Sequence, residues 1–236
     1  MSGVDLVIIV PVFNEQDSLM RFKSEMDAFI QVSDVSASIL FVNDGSTDNS
    51  LSLIQLICSQ NKHYAYISLS ANMGLSAAIK AGIDHCSSKW IGYIDADLQT
   101  SPADFALMFP YINEFDLVIG HRHQRKDKAV KRISSLVANA FRRRVLKDGV
   151  HDTGCPLKII KTEMARKLPF YKGMHRFIPA LVQIQGGNVK EVPVRHFPRI
   201  EGKSKYHLSN RIIHPFIDTL AVYWIKKRTM NYQLKE

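Results

Sequence analysis

The chain has 236 residues, of which 46% are apolar, and a formal net charge of +9 at pH 7. This length, without a linker rich in Pro, Gly or Ser, predicts one large α/β domain with a well-buried core. Neither a cleavable signal peptide nor a transmembrane helix is expected, because the first apolar run has no basic start and the late apolar stretch at residues 212–225 is interrupted by polar residues.

The positive charge is concentrated in residues 120–147, which hold ten Lys or Arg residues and one acidic residue, Asp127. Such a segment indicates a polyanionic partner or an anionic surface. Nucleic acid is not the expected partner, because the segment has few aromatic residues and no recognisable nucleic-acid-binding motif. Phosphates on a small substrate and on membrane lipid fit it better. Three cysteines without disulfide or metal-ligand spacing indicate a reducing, cytoplasmic compartment.

Strands and helices are predicted to alternate along the first half of the chain. Buried strands are expected at the apolar runs of residues 6–12, 38–42, 64–69, 90–94 and 116–120. Helices are expected near residues 17–30, 51–57 and 75–86, and after Pro102. This alternation predicts a mostly parallel central sheet flanked by helices. Ligands bind such a sheet where its strands end, so we expect one crevice to be shared by Asn14, Glu15, Asp44, Asp95 and Asp97.

Two carboxylates, Asp95 and Asp97, follow the predicted strand at residues 90–94 with a single residue between them. Alternation along the chain sends both side chains to the same side, where two like charges need a cation. A hard divalent ion such as Mg²⁺ or Mn²⁺ suits oxygen ligands and is often shared with substrate phosphates. The pair therefore predicts metal-assisted nucleotide-diphosphate chemistry. For an isolated pair, the alternative is a solvated turn that caps the next helix.

Four motifs resemble, in order, those of family 2 glycosyltransferases of the GT-A (Rossmann-like) fold. They are Pro11-Val12-Phe13-Asn14-Glu15, Val42-Asn43-Asp44-Gly45-Ser46, Asn72-Met73-Gly74 and Asp95-Ala96-Asp97-Leu98-Gln99. Later motifs are similar to the dolichol-phosphate mannosyltransferase branch, namely Gly120-His121-Arg122, Asp152-Thr153-Gly154-Cys155, His175-Arg176-Phe177-Ile178-Pro179 and the segment 199–206. The resemblance covers about residues 5–208. It implies an inverting, metal-dependent hexosyltransferase that moves a sugar from a GDP-mannose-like or UDP-sugar donor to a polyprenyl phosphate.

On the donor side, the resemblance implies a nucleotide-sugar site formed by several of these motifs. Base and ribose are expected at Pro11, Val12, Phe13, Asn14, Glu15 and Asp44. The metal and diphosphate are expected at Asp95, Ala96, Asp97 and, by resemblance, Gln99, with Asp97 as the direct ligand. Arg199, Lys203 and Lys205 lie in a segment with Gly202 and Ser204 and are expected to close over the diphosphate as a lid. The alternative for this segment is a solvated basic loop.

On the acceptor side, a phosphate monoester with a second pKa of about 6 is largely ionised near neutrality, so cations matter more than a base. Phosphate binding is expected at Arg122, Lys131, Arg132 and Ser135. Asp152 is a candidate for orienting or deprotonating the acceptor, which makes Asp97, Asp152 and Arg122 the predicted catalytic set. Asp152 is alternatively a turn residue. A hydroxyl acceptor on a glycan or lipid, with Asp152 as base, is the competing hypothesis.

The last part of the chain predicts an amphipathic helix. Its apolar residues at helical spacing are Ile213, Phe216, Ile217, Leu220 and Trp224, followed by Lys226-Lys227-Arg228. We therefore predict a catalytic domain at residues 1–208 and a helical, non-transmembrane tail at residues 209–236. The protein is expected at the inner face of the membrane, peripherally bound through this tail and the basic segment, and a membrane partner is an option. Packing of the tail on the core or in a homodimer is the alternative.

Other classes of function are less well supported. A sugar-nucleotide nucleotidyltransferase usually opens with a Gly-rich phosphate loop, and residues 10–15 contain no Gly. No Gly-x-Gly-x-x-Gly follows the first strand, which disfavours an oxidoreductase. A basic binding module without activity would require the acidic motifs to be accidental. Finally, Arg142, Arg143 and Arg144 cannot all face one way, and we expect them at solvent or lipid headgroups.

Overall fold

The computed structural model describes residues 6–122, 139–198 and 209–230, and the side chains of the last segment from residue 214 onwards. Within these residues, seven strands form one sheet: β1 (Leu6–Val12), β2 (Ala37–Asn43), β3 (Tyr64–Ser68), β4 (Trp90–Tyr93), β5 (Leu117–Arg122), β6 (Lys158–Lys161) and β7 (Val189–Val194). Their order across the sheet is β3-β2-β1-β4-β6-β5-β7.

One strand of the sheet runs against its neighbours. β1 pairs in parallel with β2 and β4, β2 with β3, and β5 with β7, whereas β6 is antiparallel to both β4 and β5. The predicted mostly parallel sheet is confirmed. Because β6 is reversed, it begins at the edge where β4 and β5 end, and its first residue, Lys158, pairs with Tyr93 and Ile119.

Helices cover both faces of the sheet. They are α1 (Leu19–Val32), α2 (Ser50–Gln60), α3 (Leu75–His85), α4 (residues 139–146), α5 (Thr162–Lys167), α6 (Ile178–Ile184) and α7 (Ser209–Arg228). Alternate residues of β1 enter different cores: Ile8 packs with Phe22 of α1, and Ile9 packs with Ile79 of α3. A strand buried on both faces accounts for the continuous apolar run in its sequence.

The helix expected after Pro102 is present in 3-10 form. Two short 3-10 segments, Pro102–Leu107 and Phe109–Tyr111, stand in place of an α-helix. Pro110 lacks the N–H that an α-helix needs at that position, and its ring disfavours helical geometry for the residue before it. Pro110 therefore disfavours one continuous α-helix over these residues, although α7 accommodates Pro215 in its interior. The other helices and strands expected in the first half are confirmed within a few residues of their predicted ends.

The predicted tail helix exists as α7, and it has two different faces. Thr219 and Val222 are buried, and the ring of Phe216 lies 4.7 Å from that of Phe141 in α4. Ile217, Leu220 and Trp224 on the other face are 57%, 55% and 62% exposed. Part of the apolar stripe therefore packs on the protein, and part faces outward. None of the described helices has the length and apolar character that crossing a bilayer requires.

The expectation that Arg142 lies at solvent or lipid headgroups is wrong. Its side chain is 4% exposed and pairs with Asp148, with 3.2 Å between Nη1 and Oδ2, and its guanidinium also donates to the carbonyl of Val150. Burial lowers the pKa of Arg142, and the charge of Asp148 acts against that shift. Arg144, two residues further along α4, is exposed. Sequence pattern alone does not reveal which arginine of a cluster is buried, because long aliphatic side chains suit either place.

Replacing Arg142 by Met is expected to destabilise the fold by about 3–5 kcal/mol, because the buried Asp148 carboxylate loses its partner. The matched variant Arg144→Met, at an exposed position of the same helix, is expected to change stability by no more than about 0.5 kcal/mol. Urea unfolding followed by circular dichroism measures both. Equal stability of the two variants would contradict the structural role of the Arg142–Asp148 pair.

Candidate functional site

The loops that follow β1 and β2 are fastened to each other. Asn14 has a φ of 51°, in the left-handed region that Asn tolerates. Its Oδ1 accepts a hydrogen bond from the Thr47 backbone N–H at 2.8 Å, and its own backbone N–H donates to Ser46 Oγ at 3.0 Å. The Glu15 backbone N–H donates to Ser50 Oγ at 2.9 Å. The first two motifs therefore form one rigid rim, with Asn14 as its central connector.

Asp44 joins this rim to the loop before α3. Its Oδ1 accepts from the Met73 backbone N–H at 2.8 Å, and its Oδ2 accepts from Asn72 Nδ2 at 3.0 Å and from the Gly74 backbone N–H at 2.9 Å. Gly45, with a φ of 66°, is required beside it, because a Cβ there would lie 2.4 Å from the carbonyl carbon of Ala71. These contacts explain why the second and third motifs occur together.

The predicted donor residues of the first two motifs lie along this rim. Val12 and Asp44 are buried, and Pro11, Phe13, Asn14 and Glu15 are partly exposed. A buried Val12 offers a ligand only its backbone, in keeping with the expectation of backbone contacts there. Contact of these residues with base and ribose stays a prediction.

Asp95 and Asp97 follow β4 at the same edge. The Tyr93 hydroxyl donates to Asp95 Oδ1 at 2.6 Å, and the Gln99 backbone N–H donates to Asp97 Oδ1 at 3.1 Å. Burial and the neighbouring charge of Asp97 raise the pKa of Asp95 to about 6, against the opposing effects of Tyr93, Lys158 and Arg122. Two carboxylates this close repel each other when both are ionised. A bound divalent cation would stabilise both ionised side chains.

The donor set fits a cation that is completed by the substrate. Across the described residues, no three or more His, Cys, Asp or Glu side chains are grouped so as to hold a metal ion by themselves. Mg²⁺ and similar ions are commonly held by one or two carboxylates together with substrate phosphates, and Asp95 with Asp97 supplies that number. The amide of Gln99 is a further oxygen donor in the same motif, whose role stays a prediction.

The backbone of Gln99 also contacts the segment that follows β7 and precedes the predicted lid. Its carbonyl accepts a hydrogen bond from the Phe197 backbone N–H at 3.0 Å, and Nδ1 of His196 lies 3.2 Å from the same oxygen. Arg195 pairs with the buried Asp104, with 2.7 Å between Nη2 and Oδ1. The chain therefore leaves β7 directly beside the Asp95–Gln99 motif. The three predicted lid residues, Arg199, Lys203 and Lys205, lie outside the described residues.

Arg122 and Asp152, predicted on separate grounds, form one bidentate ion pair. Arg122 Nε lies 2.7 Å from Asp152 Oδ2, Nη2 lies 2.8 Å from Oδ1, and the Arg122 backbone N–H also donates to Oδ2 at 3.2 Å. Both side chains are largely buried. Such pairing fixes the orientation of the Asp152 carboxylate and engages both of its oxygens with Arg122. Asp152 also begins a turn, since the Cys155 backbone N–H donates to the Asp152 carbonyl at 3.3 Å, so the turn and the ion pair occur together.

Glu191 of β7 holds the loop that carries Asp152 through hydrogen bonds to its backbone. Glu191 Oε1 accepts from the backbone N–H groups of His151 at 2.9 Å and Asp152 at 3.1 Å. Gly154 leaves room for the arginine, because a Cβ there would lie 3.3 Å from Arg122 Nη2. The remaining predicted phosphate ligands, Lys131, Arg132 and Ser135, lie outside the described residues.

One site residue, Lys158, was missed by sequence reasoning. Lys158 is 3% exposed, donates to the Cys155 carbonyl, and lies 5.2 Å from the centre of the Tyr93 ring. Burial lowers the pKa of Lys158 to about 8, while Cys155, Asp95 and Asp152 act to raise it. The one available signal was its position six residues after Asp152. Only the reversed direction of β6 places it at this edge.

The motif at residues 175–179 begins with His175. Its Nδ1 lies 2.9 Å from Ser76 Oγ, and the same Oγ accepts a hydrogen bond from the Gly173 backbone N–H at 3.1 Å. Burial, followed by the charges of Arg176 and Lys158, lowers the pKa of His175 to about 3. The ring is therefore neutral at physiological pH. It fastens residues 173–175 to α3 and contributes no positive charge to the site.

Comparisons with known proteins agree with this geometry. A model of the family "Glycosyl transferase family 2" matches residues 7–169. The chain is 31% identical to dodecaprenyl-phosphate galacturonate synthase of Rhizobium johnstonii over 233 residues, which cover 96% of this chain and 69% of that protein.

Solved structures of glucosyl-3-phosphoglycerate synthase from Mycobacterium tuberculosis are similar in fold. Its complex with Mn²⁺, UDP and glucosyl-3-phosphoglycerate has a TM-score of 0.70 at 15% identity, covering 94% of this chain and 80% of that one. Its complex with Mn²⁺, UDP and phosphoglyceric acid has a TM-score of 0.71 at 16% identity, covering 94% and 79%. The GT-A fold is thereby confirmed. From its matching motifs, sheet and family model, the chain belongs to glycosyl transferase family 2 and is a glycosyltransferase.

Proposed function

We propose that this protein transfers a sugar from a nucleotide-diphosphate sugar to a polyprenyl phosphate, with inversion at the anomeric carbon. The observation that carries the proposal is the pairing of Arg122 with Asp152 at the sheet edge that also bears Asp95 and Asp97. In this proposal Arg122 serves the acceptor side, and its guanidinium holds the Asp152 carboxylate. The relative named as dodecaprenyl-phosphate galacturonate synthase supports an acceptor of this class.

On the donor side, Asp95 and Asp97 would hold a divalent ion, Mg²⁺ or Mn²⁺. When bound, such an ion neutralises the charge that develops on the leaving nucleoside diphosphate. Tyr93 and the Gln99 backbone N–H orient the two carboxylates through hydrogen bonds. The Mn²⁺ and UDP complexes of structurally similar proteins support a divalent ion and a nucleotide donor. The base and the sugar are identified by testing GDP- and UDP-sugars as donors.

On the acceptor side, the chemistry needs a positioned anion. A phosphate monoester with a second pKa of about 6 is largely a dianion near neutrality and attacks without a general base. Its oxygen forms a bond to the anomeric carbon as the bond from that carbon to the diphosphate oxygen breaks. Arg122, whose planar group is fixed by Asp152, suits a phosphate because of its forked geometry. Asp152 therefore acts as a positioning residue.

Removal of the metal-side carboxylate should abolish transfer. Asp97→Asn is expected to lower kcat/KM by at least about 100-fold, because metal stabilisation of the leaving group is worth several kcal/mol. The assay follows label from GDP- and UDP-sugars into polyprenyl phosphate in detergent, with Mg²⁺, Mn²⁺ or chelator. Asp84→Asn, at an exposed carboxylate of α3, is the matched control. Full activity of Asp97→Asn, or full activity in chelator, would contradict the proposed metal site.

The nature of the acceptor is tested by the pH profile of Asp152→Asn. With a phosphate acceptor, kcat/KM of the wild type rises with pH through about 6 as the phosphate ionises. The variant should be slower and keep that limb, because the titrating group belongs to the substrate. A hydroxyl acceptor with Asp152 as base predicts loss of the limb together with a fall of about 10²–10⁴-fold. That second result would replace the proposed acceptor with a hydroxyl.

We further propose that the exposed face of α7 lies on an anionic membrane at the cytoplasmic side, as a tail beyond the catalytic residues 1–208. Ile217, Leu220 and Trp224 provide its apolar contacts, and the helix ends in the basic residues Lys227 and Arg228. Apolar and aromatic residues beside basic ones suit a lipid interface. Sedimentation with protein-free vesicles distinguishes lipid binding from a membrane-protein partner, and size-exclusion chromatography detects self-association.

Trp224→Glu is expected to reduce sedimentation of the protein with vesicles containing anionic lipid at least about fivefold, because a charge replaces buried apolar contact. Transfer to a short-chain acceptor in detergent should be unchanged. Leu56→Glu changes a residue of α2 that is 46% exposed and serves as the control. Sedimentation of Trp224→Glu at the wild-type level would contradict a lipid contact through α7. Loss of a dimer in size-exclusion chromatography would instead indicate self-association through this face.

A further inference from the structure

A buried lysine lies between the two halves of the site. Lys158 is the first residue of β6 and pairs in register with Tyr93 of β4 on one side and Ile119 of β5 on the other. β4 leads into the metal-side carboxylates, and β5 leads into Arg122. Lys158 therefore occupies the strand between the donor half and the acceptor half, at the edge where both halves meet.

Its contacts reach both halves. The Lys158 ammonium lies 5.2 Å from the centre of the Tyr93 ring, and the hydroxyl of that ring donates to Asp95 Oδ1 at 2.6 Å. In the other direction, Lys158 Nζ donates to the carbonyl of Cys155, three residues beyond Asp152. The charges of Asp95 and Asp152 both act to raise the pKa of Lys158.

Burial of a lysine is costly unless its charge is compensated. A charge removed from water loses several kcal/mol of hydration, and lysine is almost never fully buried without a partner. Lys158 is 3% exposed, and its neighbours in the adjacent strands are buried. An apolar residue at this position would lose less hydration free energy on folding than a lysine does. The retained ammonium is compensated by Asp95, Asp152, the Tyr93 ring and the Cys155 carbonyl, which are all parts of the site.

We infer that Lys158 is a positioning residue for transfer, holding the donor-side Asp95, through Tyr93, and the acceptor-side loop, through the Cys155 carbonyl, in one fixed arrangement. The inference rests on the proposed metal site at Asp95 and Asp97. Residues that orient the ligands of a metal site commonly contribute 10- to 100-fold to activity. Lys158 does not itself bind the metal, because its ammonium repels a cation.

The test compares Lys158→Met with Lys161→Met. Lys161 ends the same strand, and its Nζ lies 2.8 Å from Asp116 at the far edge of the sheet, so the control removes a lysine from β6 without touching the site. We expect Lys158→Met to lower kcat by about 10–100-fold. Its Mn²⁺ affinity, measured by calorimetry, should change much less than kcat, because the loss of a repelling charge offsets the looser placement of Asp95. Lys161→Met should match the wild type in both.

Lys158→Gln separates charge from hydrogen bonding, because its amide keeps a donor for the Cys155 carbonyl and lacks the charge. It should have intermediate kcat, and it takes the place of Lys158→Met if that variant does not fold. The inference would be overturned if Lys158→Met and Lys158→Gln had the kcat of the wild type. It would also be overturned if kcat and Mn²⁺ affinity fell by the same factor, as they would in a damaged fold. A wild type that transfers sugar without binding Mn²⁺ would instead contradict the proposed metal site, and the kcat comparison would still decide the role of Lys158.

Discussion

Charge balance at one edge of the sheet is the constraint on which the site depends. Asp95, Asp97 and Asp152 bring three carboxylates to the ends of β4 and β5, in surroundings that are largely buried. Arg122 and Lys158 bring two positive charges to the same place. Burial makes each ionised group costly and strengthens each attraction. Arg122 pairs directly with Asp152, and Lys158 interacts favourably with Asp95 and Asp152. With three carboxylates and two positive groups, the edge is well suited to a further cation.

The fold creates this arrangement by reversing a single strand. With β6 antiparallel to both neighbours, the edge collects the ends of β4 and β5 and the beginning of β6. A wholly parallel sheet would place the first residue of that strand at the opposite edge. The donor half needs no such device, because β1, β2 and β3 run together and the loops after β1 and β2 are fastened by Asn14 and Asp44. The two halves are thus built by different means.

This difference explains how much could be predicted from the sequence. Asp95 and Asp97 follow a strand that is easily recognised by its continuous apolar run. Their position can therefore be predicted from side-chain alternation and from the rule that ligands bind where the strands of such a sheet end. The position of Lys158 could not be predicted in this way. It depends on the direction of β6, which the sequence of a four-residue strand does not reveal. The burial of Arg142 depends on Asp148 and Val150, which share no periodic pattern with it. Local pattern predicts elements well, and it does not predict pairings formed between them.

A chain of packed contacts also connects α7 with the loop that carries Asp152. Lys226 of α7 donates to the Leu146 carbonyl at the end of α4, and Phe216 packs on Phe141 of the same helix. From α4, the buried pair of Arg142 with Asp148 fixes the chain that leads, four residues later, to Asp152. If α7 rests on a membrane, these contacts connect the lipid surface to Asp152 and Arg122 through packed groups rather than a loose linker. A lipid-borne phosphate needs such a fixed height above the bilayer, because its isoprenoid stays in the membrane while its head reaches the sugar.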